Sequence, residues 1–150
     1  MTACILMSEL PTTTSRDRPE PSLYARFGEA PFAALAERLY AKLDTDIRVR
    51  AMFPSDLSAT SASVQDMREF LVQFFGGPQA YSERKGHPRL RARHLRFSIG
   101  QPERDAWLFN ALAALDEVAV RHALDHDAQV AIRDYLVRTS QFMINRDETT

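Results

Sequence analysis

The stretch Gly86-His87-Pro88-Arg89-Leu90-Arg91-Ala92-Arg93-His94 sets the tightest limit on how this chain can fold and what it can hold. Between Arg84 and Arg96 lie six of the 19 basic residues (Arg84, Lys85, Arg89, Arg91, Arg93, Arg96) and two of the four histidines. Pro88 favours the first position of a helix and biases His87 away from helical angles. Leu90, His94 and Phe97 then fall at i, i+4 and i+7, which predicts an apolar helix face with an imidazole at its middle and guanidinium groups beside it. Two readings fit. One is a basic surface helix with a single packed histidine. The other is a seat for a flat apolar ligand that takes an imidazole at its centre and carries anionic groups at its edge. Haem has that chemistry, with an iron that accepts histidine and propionates that pair with arginine.

The formal charge of -1 makes the basic cluster a local feature and argues against nucleic acid or an anionic membrane as partner. With 150 residues, 45% of them apolar and 26% charged, the chain reads as one globular domain with a real core. Cys4 stands alone, which excludes an internal disulfide and fits a reducing compartment. No apolar run approaches the roughly eighteen residues that span a bilayer. Met1 to Leu10 has no basic start of the secretory kind, so the expected location is the cytoplasm.

Residues 1–21, with Pro11, Pro19, Pro21 and three consecutive threonines, read as a mobile extension ahead of a domain over 22–150. Leu23, Tyr24 and Phe27 make a short amphipathic turn closed by Gly28. Pro31 opens a helix whose stripe is Phe32, Leu35, Ala36, Leu39 and Leu43, with Tyr40 turned inward. A short connection ends at Phe53-Pro54. From about Ser61 the pattern is helical again: Ser63, Met67, Phe70 and Phe74 share one face, and Val64, Leu71 and Phe75 widen it. Gly76-Gly77-Pro78 stops it, and residues 78–86 are expected to be irregular. Pro102 starts a helix carrying Trp107, Leu108, Ala111, Leu112, Leu115 and Val118. A last helix, from about Asp125, has Ala128, Ile132, Tyr135, Leu136, Thr139 and Phe142 as its stripe. No strand is indicated, so the fold class is all-α.

The ordered set Phe75-Gly76-Gly77-Pro78, Tyr81, Gly86 to His94, and Arg104-Asp105-Ala106-Trp107-Leu108 resembles the group II truncated haemoglobins, over Ser22 to about Asn145. The resemblance implies a truncated globin, a two-over-two helical sandwich around haem b. Position by position it implies His94 as the proximal iron ligand, with Arg93 and Tyr81 helping to hold the propionates. It implies Tyr40 as the distal tyrosine and Trp107 as the indole that reaches a bound ligand from the side. Phe53, where some relatives carry tyrosine, would pack on the ring. Ser63 and Met67 would line the ligand site, with Phe70, Phe74 and Phe97 against the cofactor. Asp66 stands where some relatives carry a basic residue, which puts more of the propionate pairing on Arg93 and its neighbours. His87 sits in a loop and lacks the rigid support a metal ligand needs, so it reads as a cap or propionate neighbour. Met67 could offer a thioether as a sixth ligand, though steric lining fits it better. His122 and His126 read as surface residues.

Three functions follow. The first is binding of O2, or of NO or CO, at a His94-ligated iron with Tyr40 and Trp107 as donors, serving oxygen transport or detoxification of NO and reactive species. The second is enzymatic, as a haem-dependent NO dioxygenase or peroxidase; with no flavin or nicotinamide motif in the chain, a separate reductase would be needed. The third is a cofactor-free helical interaction module that uses the basic helix. A monomer or weak homodimer is expected.

Overall fold

The computed structural model describes residues 20–146; all of the expected leading extension except Glu20 and Pro21 lies outside them. The elements are α1 (Leu23–Phe27), α2 (Ala30–Leu43), a single 3₁₀ turn (Arg50–Met52), α3 (Ala62–Phe74), α4 (Ala80–Lys85), α5 (Leu90–His94), α6 (Gln101–Arg121) and α7 (His126–Phe142). Among the described residues there is no strand, and no helix is long and apolar enough to cross a membrane.

α2 packs on both α3 and α6, and α6 packs on α7, so that α2 and α3 lie over α6 and α7. The reason is visible in their stripes. Phe32, Leu35, Ala36, Leu39 and Leu43 of α2 are all at most 1% exposed. They meet Ala111, Ala114, Leu115 and Val118 of α6, where alanines let the backbones approach, and Ala128, Ile132 and Leu136 of α7 complete the core. The starts of α3 and α7 are capped by side chains. Ser61 Oγ accepts the Val64 amide at 3.3 Å, and Asp125 accepts the Ala128 amide at 2.9 Å and pairs with Arg26. At the end of α3, a Cβ on Gly77 would lie 2.6 Å from Val72 Cγ1 and 2.8 Å from Tyr24 Cδ2. Glycine there lets α1 close on α3, where the Tyr24 amide donates to Phe75 O at 3.0 Å.

Four local expectations change. The face of α3 that enters the core is Val64, Leu71 and Val72, continued by Phe75; Ser63, Met67 and Phe70 are half-buried and Phe74 is 54% exposed. Residues 78–86 are not irregular but contain α4. The Gln73 side chain receives the Ser82 amide (3.0 Å) and donates to its hydroxyl (2.7 Å), while Arg84 and Lys85 pair with Asp66 and Glu69 of α3. The histidine helix starts at Leu90 rather than Pro88, because Arg89 takes a left-handed conformation (φ 43°), and it ends at His94. Phe97 therefore lies in the following turn, its amide bonded to His94 O at 3.0 Å. Finally, Phe142 is 62% exposed; Ser140 and Met143 take the inward positions at that end.

Candidate functional site

Tyr40 reaches the site from the last turn of α2. Its ring is 9% exposed and meets Phe53 edge-on, with centroids 5.9 Å apart. Burial, with a smaller contribution from the charge of Asp66, pushes its hydroxyl well above the ordinary tyrosine range, so it stays a neutral donor. Arg50 fixes Phe53 in place: its guanidinium donates to Asp44 (2.9 Å) and to the carbonyls of Phe53 (3.3 Å), Pro54 (2.9 Å) and Ser55 (2.8 Å).

A second cluster gathers the α3 aromatics. Phe70 stacks on Phe74 at 6.3 Å and meets Tyr81 edge-on at 5.6 Å; Phe74 lies 4.3 Å from Tyr135, which the sequence had marked only as core. Tyr81 is 5% exposed, with the Arg93 and Lys85 cations 5.9 and 5.8 Å from its ring centre. The expected members Phe70, Phe74, Tyr81 and Arg93 thus come together, and Phe53, Met67 and Trp107 pack against the same core as Tyr40. Ser63 is half-buried on α3, one residue inside the helix.

His94 closes α5. Its Nδ1 lies 2.6 Å from Leu90 O, which makes Nδ1 the donor to that carbonyl and leaves Nε2 without a partner among the described residues. Arg93 is engaged differently from the expectation. Its guanidinium donates to the carbonyls of Pro88 (2.7 Å), Lys85 (2.8 Å) and His87 (3.3 Å), tying down the loop that leads into α5. His87 is exposed, and its Nδ1 accepts the Arg89 amide at 3.2 Å, a local cap. Asp66 does not stand alone near an anion site. Burial opposes its ionisation, but hydrogen bonds from Lys85 and Arg84 outweigh this and hold its carboxyl below the usual range.

Whether these residues fit a haem is tested by their polar atoms. Tyr40 Oη, Trp107 Nε1 and His94 Nε2 have no hydrogen-bond partner among the described residues, yet every fully enclosed side-chain polar atom there has one. These three groups are therefore not fully enclosed by the protein. Two donors and one imidazole nitrogen that the protein leaves unpartnered among the described residues, carried beside half-exposed aromatics, are groups whose chemistry fits haem and a small gas ligand.

Two positioning residues were not singled out from the sequence: Arg50, at the Phe53 corner, and Asn145. Asn145 Nδ2 donates to His94 O (3.2 Å) and Phe97 O (2.8 Å), and its Oδ1 accepts the Ile99 amide (2.9 Å). Both bridge loops, where periodicity carries no signal.

Fold and site together define a small haem-type helical sandwich. Residues 22–142 match the Bacterial-like globin family. The chain is 34% identical to the group 2 truncated hemoglobin YjbI of Bacillus subtilis, over 83% of this chain and 89% of that protein. Among solved structures, it is similar to the haemoglobin of Chloroflexus aurantiacus (TM-score 0.77, 44% identity, covering 85% of this chain and all of that one). It is also similar to the truncated oxygen-avid haemoglobin of Bacillus subtilis (TM-score 0.74, 33% identity, 83% and 99% covered). The chain belongs to the bacterial-like globin family and, within it, to the group II truncated haemoglobins.

Proposed function

We propose that this chain binds haem b through His94 and takes up O2, with NO and CO as further ligands, in oxygen binding or in removal of NO and reactive species. The observation that carries this reading is the set of three unpartnered groups, Tyr40 Oη, Trp107 Nε1 and His94 Nε2. Held by His94, the group would supply an iron able to bind a diatomic gas. His94 is held for that task by its 2.6 Å bond to Leu90 O, which fixes ring orientation and tautomer. The Tyr40 hydroxyl and the Trp107 indole each donate a proton-bearing bond to the ligand, worth about 1 kcal/mol apiece. Phe53, Met67, Phe70 and Phe74 keep water from the site, with Met67 as lining, and Ser63 leaves room. Phe97 and Tyr81 flank the cofactor, and Arg93, tied to carbonyls, reaches a propionate only through its remaining N–H groups. The setting is the cytoplasm and the unit a monomer or weak dimer.

The decisive experiment is the absorption spectrum of haem-loaded ferrous protein with and without CO. Wild type should give a five-coordinate ferrous form that converts fully with CO, and His94→Ala should lose that form and regain it with imidazole. A variant with an unchanged spectrum removes His94 from the site.

A further inference from the structure

Nineteen consecutive residues, from Arg84 to Pro102, contain no aspartate or glutamate and six Lys or Arg. Elsewhere the molecule neutralises its cations with care. Every Lys and Arg among the described residues has a carboxylate oxygen within 4.0 Å, except Arg89, Arg91, Arg93, Arg96 and Arg121. Four of those five sit on α5 or its flanks. Arg93 is committed to backbone carbonyls, which leaves Arg89, Arg91 and Arg96 exposed and without an acidic partner among the described residues. The patch also has an apolar centre. The Arg91 guanidinium lies 5.8 Å from the ring centre of Phe142, which is 62% exposed, and Leu95, one turn beyond Arg91, is 58% exposed. Arginine, an aromatic and an aliphatic side chain, exposed together inside a charged rim, have the composition of a docking surface.

We infer that this face docks the acidic surface of an electron-carrier protein, delivering the electron along the helix that carries His94. The inference rests on the haem reading above and names the partner that reading requires, since the chain holds no flavin or nicotinamide motif of its own. Charge complementarity selects an acidic protein. Three arginines without acidic partners among the described residues would release few counterions from a phosphate backbone, and the apolar centre has no use on one. Steering by so compact a patch raises the encounter rate and falls off with salt.

The test uses haem-loaded protein and two small acidic carriers as probes, a plant-type [2Fe–2S] ferredoxin and a flavodoxin. Binding is followed by NMR line positions and reduction by stopped flow, at about 20 and 200 mM salt, a range over which screening changes strongly. At least one carrier should bind and reduce the protein. Arg89→Gln/Arg91→Gln/Arg96→Gln should weaken binding at least tenfold and flatten the salt dependence. Leu95→Ser should weaken binding about threefold with the salt dependence kept, and dithionite should still reduce every variant at the wild-type rate. Equal binding by wild type and triple variant overturns the inference, as does failure of both carriers to bind, or tighter binding to duplex DNA than to either carrier. Loss of haem from the triple variant also overturns it, because the arginines would then be serving the propionates. A wild-type protein that takes up no haem shows no Soret band before any carrier is added, so failure of the underlying reading is seen separately.

Discussion

α2 and α5 carry the two residues on which the proposed haem site most depends, Tyr40 and His94, and they are held by different physics. α2 runs for 14 residues and buries seven of them. α5 has five residues and buries none. The tyrosine is placed by apolar area, spread along a helix that would persist if any one contact failed. The histidine is placed by polar tethers at both ends of a single turn: Arg93 to three carbonyls before it, and Asn145 to two carbonyls at and after it. A helix this short does not form on its own strength. The tyrosine proposed as gas-side donor thus sits on a wall of buried apolar residues, and the histidine proposed to hold the iron on a short turn kept in place by hydrogen bonds.

That contrast breaks most visibly under core truncation. Leu39 is 1% exposed beside Tyr40, and Leu39→Ala should cost about 2–5 kcal/mol in chemical denaturation. Leu90→Ala, on the half-buried start of α5, should cost under about 1.5 kcal/mol. Equal losses would mean that α5 contributes to the core after all.

The tethers give the next effect. Asn145→Ala removes two donated bonds and one accepted bond and leaves the Ile99 amide and the Phe97 carbonyl unmet, while His94 O keeps the Phe97 amide, which costs about 1–3 kcal/mol. The loss should be local. Amide exchange should speed up at Phe97 and Ile99 and stay unchanged at Leu39 and Tyr40. Uniform acceleration would show that α5 and α2 open as one unit.

Acid sharpens the same division at smaller amplitude. Asp66 and Glu69 both have folded-state carboxyls below their ordinary range: burial works against ionisation in each, and hydrogen bonds from Arg84, with Lys85 for Asp66 and Gln65 for Glu69, prevail. A lowered folded pKa gives stability that is complete above the unfolded value, about 4, and is lost as pH falls through the folded value. α4 should therefore loosen from α3 below about pH 4, with faster exchange at the Glu83 and Gly86 amides, while α2, whose buried contacts are apolar and whose ion pairs to Glu117 of α6 lie at the surface, holds to lower pH. Pairs this exposed contribute at most about 1 kcal/mol each. Simultaneous loss of α2 protection would contradict the division.

The same physics decides what could be read from the chain. The α2 stripe was legible because burial every third or fourth residue is a periodic signal, and all five predicted positions are buried. The ordered motif from Phe75 to Leu108 led to the family. What stayed hidden is what hydrogen bonds build. α4 depends on Gln73 reaching Ser82, nine residues on, and the length of α5 depends on one left-handed residue, Arg89. Which face of α3 enters the core was not legible for another reason: Ser63, Met67, Phe70 and Phe74 follow helical spacing, as do Val64 and Leu71, and spacing alone cannot tell a face turned to the core from one left open.

Tyr40→Phe should produce the smallest change in stability and the most informative one. A buried tyrosine normally bonds its hydroxyl to the protein, and removing such a group costs about 1 kcal/mol or more. Here the hydroxyl has no partner among the described residues, while the ring keeps its edge-on contact with Phe53 and its place against the core. The substitution removes only the oxygen, so the unfolding free energy should shift by less than about 0.5 kcal/mol. Oxygen dissociation should instead accelerate about fivefold, the kinetic equivalent of one lost bond of about 1 kcal/mol. A large loss of stability with an unchanged off-rate would reverse the assignment: the hydroxyl would then serve the fold, and α2 would be a wall without a donor on it.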